Sequence, residues 1–511
     1  MNSLTFDLSS YAGLRALDWR AYALAALFAL VSFGLDSHAN RFPSTYHPDE
    51  PSKARQVLNG EYNFHHPMLM LTTTEAWIHL SGTPAEAEPV TVAGRTVSAF
   101  FTSGAVFFLV LLAAILAGPG AAAAAGALLV SNHELFELAH YFKEDPALLF
   151  GLSAFFLALA AFDRSPTMGR AAALGAALGL AISGKYLGAM ATPLAAILLW
   201  QNRDRLPLRH ALWPALAGLG LVLVSANLPI LLHPALFADG FTREVDFVVA
   251  GHKGITRSVP HGVYGAVFRE ATNPALWVLL VGYVVTLIVR RRSVSRSEWM
   301  LVAFAIGYTI LLSFSPKTHH RYFLPVTALL LVFSALGAIT LPRLRWRDRP
   351  IFGPVPPGMI AAGLVAIALT VQTPKFLAYF NGFSHEGRAA MAEYLRAHVP
   401  PETIVVQDKR VDLDALGAPY DLRGKLFAAD EGTIDELRAK GIRYVAVAEG
   451  DYGRFFLKNH EATADGAEDY QRRKIFYQRL FAEGTRLFEC PPGTLQYLQP
   501  HLMLYELPPA R

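Results

Sequence analysis

Three short polar clusters hold the side chains of this sequence best suited to chemistry. The first, Tyr46-His47-Pro48-Asp49-Glu50, sets two carboxylates side by side. Such a pair can activate a hydroxyl nucleophile, accept hydrogen bonds from substrate hydroxyls or hold a metal. As a base it must be ionised and lie within about 3 Å of the proton it takes. The structural alternative is a helix start, since Pro48-Asp49-Glu50 can open a helix running through Lys53, Ala54 and Val57. The second cluster, His140-Tyr141-Phe142-Lys143-Glu144-Asp145, is followed by Pro146. Asp before Pro predicts a helix with Asp145 as its cap and Pro146 at the first position. Capping leaves Lys143 and Glu144 unexplained, so substrate contact is expected there too.

The third cluster is Pro316-Lys317-Thr318-His319-His320-Arg321. It suits an anionic headgroup, because Arg forks onto phosphate oxygens and Lys adds a point charge. The alternative is snorkelling at a membrane interface. Arg95 is a weaker member of the same basic set. His65 and His66 could ligate zinc with a carboxylate such as Glu61, although their spacing matches no metal signature. A divalent metal is therefore an option and no cofactor is required.

The elements that must position these clusters are apolar. Of 511 residues 53% are hydrophobic and only 17% charged, against about a quarter charged in soluble chains. A bilayer core needs about 20 apolar residues per helix. About eleven segments qualify: 20–36, 93–117, 120–138, 146–162, 171–184, 186–200, 211–232, 273–289, 299–315, 322–341 and 353–372. Ser183-Gly184-Lys185 is either a tight turn or a break in one irregular helix. The run after Arg20 lacks a small-residue cleavage site and is expected to be a retained span. Residues 1–372 thus form an all-α membrane domain with a long first outer loop, 37–92. Residues 373–511 have soluble character, with strands expected at 404–407, 444–448, 486–489 and 503–506 and helices at 387–398, 433–440 and 469–483. This small α/β domain lacks a glycine-rich phosphate loop.

Orientation follows from arginine. Arg15 and Arg20, Arg164 and Arg170, Arg203 to Arg209, Arg290 to Arg296 and Arg343 to Arg349 all fall in loops on one side, which the positive-inside rule assigns to the cytoplasm. The net charge of +4 is thereby explained without a nucleic-acid partner. The three clusters, and the 233–272 loop with His252, Lys253, Arg257 and His261, fall on the opposite side. Cys490 is the single cysteine, which excludes an intrachain disulfide and a cysteine-built metal site.

Taken together, an Asp-Glu pair after the first span, an acid-Asp-Pro at the fourth and a basic Arg-Tyr-x-x-Pro before a late span resemble the GT-C glycosyltransferases. The likeness is to the subgroup of protein O-mannosyltransferases and lipid A aminoarabinose transferases, over residues 18–372. The resemblance implies Asp49 as general base with Glu50 its companion, and Glu144 and Asp145 facing donor or acceptor. It implies Lys317 and Arg321 near a lipid phosphate. Lys53, Arg95, Lys143, His65, His66, His319 and His320 complete the expected substrate-binding set. Phe64-His65-His66-Pro67 stands where the aminoarabinose enzymes carry Phe-Glu-Lys-Pro. An outward site needs a donor that can be flipped across the bilayer, so the expected partners are a polyprenyl-phosphate sugar, membrane lipids and a lipid, glycan or protein acceptor. High alanine and arginine content suits a bacterial inner membrane with the C-terminal domain periplasmic. The competing class is a glycolipid transporter or flippase, which would bury ionisable groups near the midplane of its spans.

Overall fold

The computed structural model describes residues 4–7, 16–250, 257–258, 272–314, 319–424, 426–458 and 460–509. Helix covers most of the described part of each apolar segment, but 120–138 and 211–232 are each split into two helices. Helix α1 (Trp19–Asp36) starts at Asp18, whose carboxylate accepts from the Ala21 N–H at 3.0 Å. The loop behind it, 37–92, folds into two short helices, α2 (Glu50–Asn59) and α3 (Leu69–Ser81). Both end on a left-handed glycine, Gly60 at φ 67° and Gly82 at φ 65°, a conformation that disfavours any Cβ. Then come α4 (Ala87–Ala117), α5 (Pro119–Val130), α6 (His133–Ala139), α7 (Glu144–Arg164) and α8 (Met168–Gly184). Lys185 and a 3₁₀ turn, Tyr186–Ala191, break α8 from α9 (Thr192–Gln201). The chain continues through α10 (Leu208–Ala226), α11 (Leu228–Leu232) and α12 (Pro234–Ala250) to α13 (Pro274–Val289), α14 (Arg296–Ser313), α15 (Leu324–Thr340) and α16 (Pro357–Gly382). Among the described residues six helices are long and apolar enough to cross a membrane, and four apolar helices are shorter.

Helices α4, α7 and α15 are largely buried, whereas α1, α10 and α16 keep most of their apolar surface outward. That inversion suits lipid as the surrounding solvent, where small residues rather than hydrophobicity bring helices together. Gly175 of α8 lies against the Ala215 carbonyl of α10, and Gly218 of α10 against the Ala172 carbonyl of α8. A side chain at either would force the pair apart.

Helix α7 runs about 31 Å at 1.5 Å per residue, from the acidic cluster at Glu144 to Arg164. At its far end the arginine-rich turns meet. Arg205 donates to the Asp163 carbonyl at 2.7 Å, Arg296 to the Gln201 carbonyl at 2.9 Å, and Ser297 N–H to the Asp163 carboxylate at 2.9 Å. The N-terminal strand β1 (Leu4–Phe6) pairs antiparallel with β3 (Leu344–Trp346), which pairs with β4 (Arg349–Pro350).

The C-terminal region is a five-stranded sheet in the order β6-β5-β7-β10-β9. Strand β5 (Ile404–Gln407) is parallel to β6 (Asp421–Arg423) and β7 (Tyr444–Ala448). Strand β10 (Leu502–Glu506) is antiparallel to β7 and to β9 (Thr485–Cys490). Helices α17 (Arg388–His398), α18 (Ile434–Ala439) and α20 (Ala467–Glu483) accompany it, with a single turn α19 (Glu449–Tyr452) after β7. The wholly buried run of β7 (Tyr-Val-Ala-Val-Ala) is what a strand covered on both faces requires. Strand β2 (Arg257–Ser258) pairs with β8 (His460–Glu461), joining the 233–272 loop to this domain. The four strands and three helices expected here are all present; β6, only three residues long, carries too little pattern to be read locally.

Candidate active site

Helix α2 opens at Glu50, and Asp49 holds the capping position without capping: its side chain accepts no helix N–H. The carboxylate instead ion-pairs with Lys143, from the turn before α7, and lies 3.9 Å from Arg321 Nη2, from the turn before α15. Glu144 takes Lys53 of α2 as its ion-pair partner, with Lys143 Nζ at 4.0 Å and His66 Nε2 at 3.9 Å. Asp145 bonds Lys185 Nζ at 2.6 Å and faces Arg321 Nε at 3.9 Å. Segments separated by up to 272 positions in the chain (Asp49 to Arg321) therefore share one cluster at the helix ends remote from the arginine turns.

A cavity of about 280 Å³ opens over it, with Asp49, Lys53, His65, His66, Lys143, Glu144, Lys185, Arg321 and Tyr322 in its wall. Asp49 is the accessible acid, its side chain 43% exposed, whereas Glu144 and Asp145 are buried. Lys143, then Arg321, hold the Asp49 carboxyl well below the usual carboxylate range against the opposing effect of burial. Burial, followed by Arg321, pulls Lys143 below an ordinary lysine; burial, followed by Lys143, does the same to Lys53. Among the described residues Glu144 Oε2, Asp145 Oδ2 and Arg321 Nε are buried without a hydrogen-bond partner. Such atoms are costly unless a bound group engages them.

Glu50 and Arg95 occupy a different place from the one expected. Both are fully buried and neither lines the cavity. Arg95 Nε and Nη2 fork onto the Glu50 carboxylate at 3.0 and 2.6 Å, and Nη1 donates to the Asn40 and Phe42 carbonyls at 2.9 and 2.6 Å. Glu50 also accepts the Phe142 N–H at 2.7 Å. The pair thus ties the 37–92 loop to the segment carrying Lys143. Behind it lies a larger cleft of about 710 Å³ walled by Arg41, Phe42, Trp77 and Glu88.

Other expectations fare variously. Asp145 does not cap α7: the helix begins at Glu144 with Lys143 in the cap position, and the Asp145 carboxylate turns to Lys185. His319 Nδ1 accepts the Arg321 N–H at 3.5 Å and its ring sits 4.1 Å from that of His320. Neither histidine belongs to the cavity wall among the described residues. Lys317, His252, Lys253 and His261 lie outside the described residues. No three His, Cys, Asp or Glu side chains among the described residues converge as metal ligands. Lys185, whose ammonium also stands 4.4 Å from the Tyr322 ring, was missed as a site residue. Its signal was legible: a lysine between two apolar segments on the side that should be poor in cations.

The fold is that of the GT-C glycosyltransferases. Residues 63–238 match the family model described as dolichyl-phosphate-mannose-protein mannosyltransferase. That stretch includes Lys143, Glu144, Asp145 and Lys185 but neither Asp49 nor Arg321. No curated protein matches the sequence significantly. Among solved structures the chain is similar to ArnT from Cupriavidus metallidurans bound to undecaprenyl phosphate, at 14% identity. That likeness covers 94% of this chain and 97% of the other, with a TM-score of 0.50. It is also similar to the oligosaccharyltransferase AglB from Archaeoglobus fulgidus, in complex with an inhibitory peptide and a dolichol-phosphate. Identity there is 13%, coverage 93% and 73%, and the TM-score 0.52.

Proposed function

We propose that this protein is an inverting membrane glycosyltransferase that moves a sugar from a polyprenyl-phosphate donor to a hydroxyl acceptor at the non-cytoplasmic face. The observation that carries the reading is the pairing of one accessible, ionised carboxylate, Asp49, with Lys143 and Arg321 in a single cavity at the outer helix ends. The acceptor hydroxyl attacks the anomeric carbon as Asp49 takes its proton. The bond from that carbon to the phosphate oxygen breaks, and the lipid phosphate leaves as an anion. Such a leaving group needs positive charge and little protonation, which Arg321, Lys143 and Lys185 supply from fixed positions in the cavity wall. Glu144 and Asp145 hold these cations and offer acceptor oxygens to sugar hydroxyls. The arginine turns at the opposite end of α7 support an outward-facing site with residues 373–511 on the non-cytoplasmic side, and the high alanine and arginine content suits a bacterial inner membrane.

Purified protein given a radiolabelled polyprenyl-phosphate sugar in lipid vesicles tests this. The expected result is cleavage of the sugar–phosphate bond with label passing to an acceptor hydroxyl or to water. Movement of intact lipid-linked sugar between leaflets, with that bond unbroken, would instead make the protein a transporter.

A further inference from the structure

The C-terminal domain touches the first outer loop at the residues flanking Asp49. The contact comes from the segment that follows β5. Asp408, fully buried, anchors it by accepting the Ala428 N–H at 2.7 Å, the Ala448 N–H at 3.0 Å and the Tyr477 hydroxyl at 2.6 Å. Two residues on, Arg410 is clamped by Asp451, which accepts its backbone N–H at 2.8 Å and faces its Nε at 3.4 Å. Its guanidinium lies against Gly450, where any side chain would collide with it. So held, the guanidinium stands 5.2 Å from the centre of the Tyr497 ring. Tyr497 in turn packs on His47, ring centres 4.4 Å apart, and on Tyr141 at 5.4 Å. His47 Nδ1 accepts the Asp49 N–H at 3.3 Å. A second strut runs in parallel, from Lys409 Nζ to the Pro48 carbonyl at 3.4 Å.

Resting on the reading of Asp49 as base, we infer that Arg410 is a positioning residue, acting through Tyr497 and His47 to hold the Asp49 backbone where its carboxylate meets the acceptor. Asp49 does not use its carboxylate to fix itself as a helix cap, so its placement depends on neighbours. His47 can accept the Asp49 N–H only while its Nδ1 carries no proton. Burial first, and then Lys143, Arg321 and Arg410, keep the imidazole well below its ordinary value, with Asp49 the opposing charge. Tyr141 and Tyr497 supply its uncharged walls. Arg410 therefore acts twice, as a rigid support for the ring stack and as one of three cations that keep His47 neutral.

The test uses the full-length protein in lipid vesicles with a radiolabelled polyprenyl-phosphate sugar, comparing Arg410→Met, Arg410→Lys, Tyr497→Leu and Asp49→Asn. A displacement of about 1 Å at a reacting group can cost on the order of 100-fold. Arg410→Met is expected to lower kcat by about 10- to 100-fold with donor KM changed by less than about 3-fold, the pattern of lost transition-state placement. Its acid limb moves to higher pH, because His47 then protonates more readily. Arg410→Lys keeps the charge and retains the original acid limb. Tyr497→Leu breaks the stack and lowers kcat even where Arg410→Met fails to fold. Wild-type kcat and pH profile in Arg410→Met, or in Tyr497→Leu where the former is unfolded, would overturn the inference while an inert Asp49→Asn leaves the base reading standing. Turnover by Asp49→Asn would overturn the base reading itself.

Discussion

Asp49 and Glu50 are neighbours in the chain and opposites in the fold. Asp49 stands in the cavity wall among Lys143 and Arg321, its side chain nearly half exposed. Glu50 is sealed behind it with Arg95, and both its oxygens are engaged. The cavity cluster leaves Glu144 Oε2, Asp145 Oδ2 and Arg321 Nε without hydrogen-bond partners among the described residues, whereas the nitrogens of Arg95 all donate. A satisfied buried pair braces a fold and offers nothing to a ligand; an unsatisfied one is ready to bind. Adjacent carboxylates thus divide between a buried brace and an accessible cavity wall.

The contrast can be broken deliberately. Asp49→Asn should cut sugar transfer by roughly 100- to 10,000-fold, the range for removing a general base, with unchanged melting behaviour in detergent. Arg95→Ala should do the reverse. It strands the Glu50 carboxylate in the interior, and breaking such a pair costs about 3–5 kcal/mol, read as a fall in Tm or in folded yield. If Arg95→Ala kept its stability and lost only turnover, Arg95 would belong to the site and not to the partition behind it. Arg321→Ala should lower donor use by on the order of 100- to 1,000-fold with a smaller effect on unfolding; unaltered donor dependence would remove Arg321 from phosphate recognition.

A subtler effect sharpens the same comparison. The Asp49 carboxyl is held down chiefly by Lys143, so in the native protein it stays ionised well below neutral pH. In Lys143→Met that hold is lost, and burial pushes the group upward. Its base form is then depleted as pH falls through a higher value, so the acid limb of the transfer profile should shift toward neutrality. Lys143 also helps keep His47 neutral, so the limb moves the same way through either group, and an unshifted limb would mean that Lys143 governs neither Asp49 nor His47.

Much of this was legible from residue order. Helix positions follow from local apolar runs, so the described parts of the segments from 20–36 to 353–372 are mainly helical, while the breaks inside 120–138 and 211–232 were not read. The strands at Ile404–Gln407 and Tyr444–Ala448 followed from β-branched runs. Lys185 was legible too, as a lysine between two apolar segments, but its partner Asp145 lies 40 residues earlier and no local pattern links them. The three-residue β1 and β3 escaped for a similar reason: their pairing spans most of the chain.

Hydropathy and arginine placement determine which stretches become helices and which ends share a side, because both act locally and sum along the chain. The sequence also supplies the carboxylates and cations in suitable types. It could not decide which of two adjacent acids faces the cavity. Successive side chains at a helix start diverge, and their destinations depended on Arg95 and Lys143, brought up by other helices. Ion pairing acts between segments that only the packed bundle makes neighbours, so the different placement of Asp49 and Glu50 belongs to the tertiary structure.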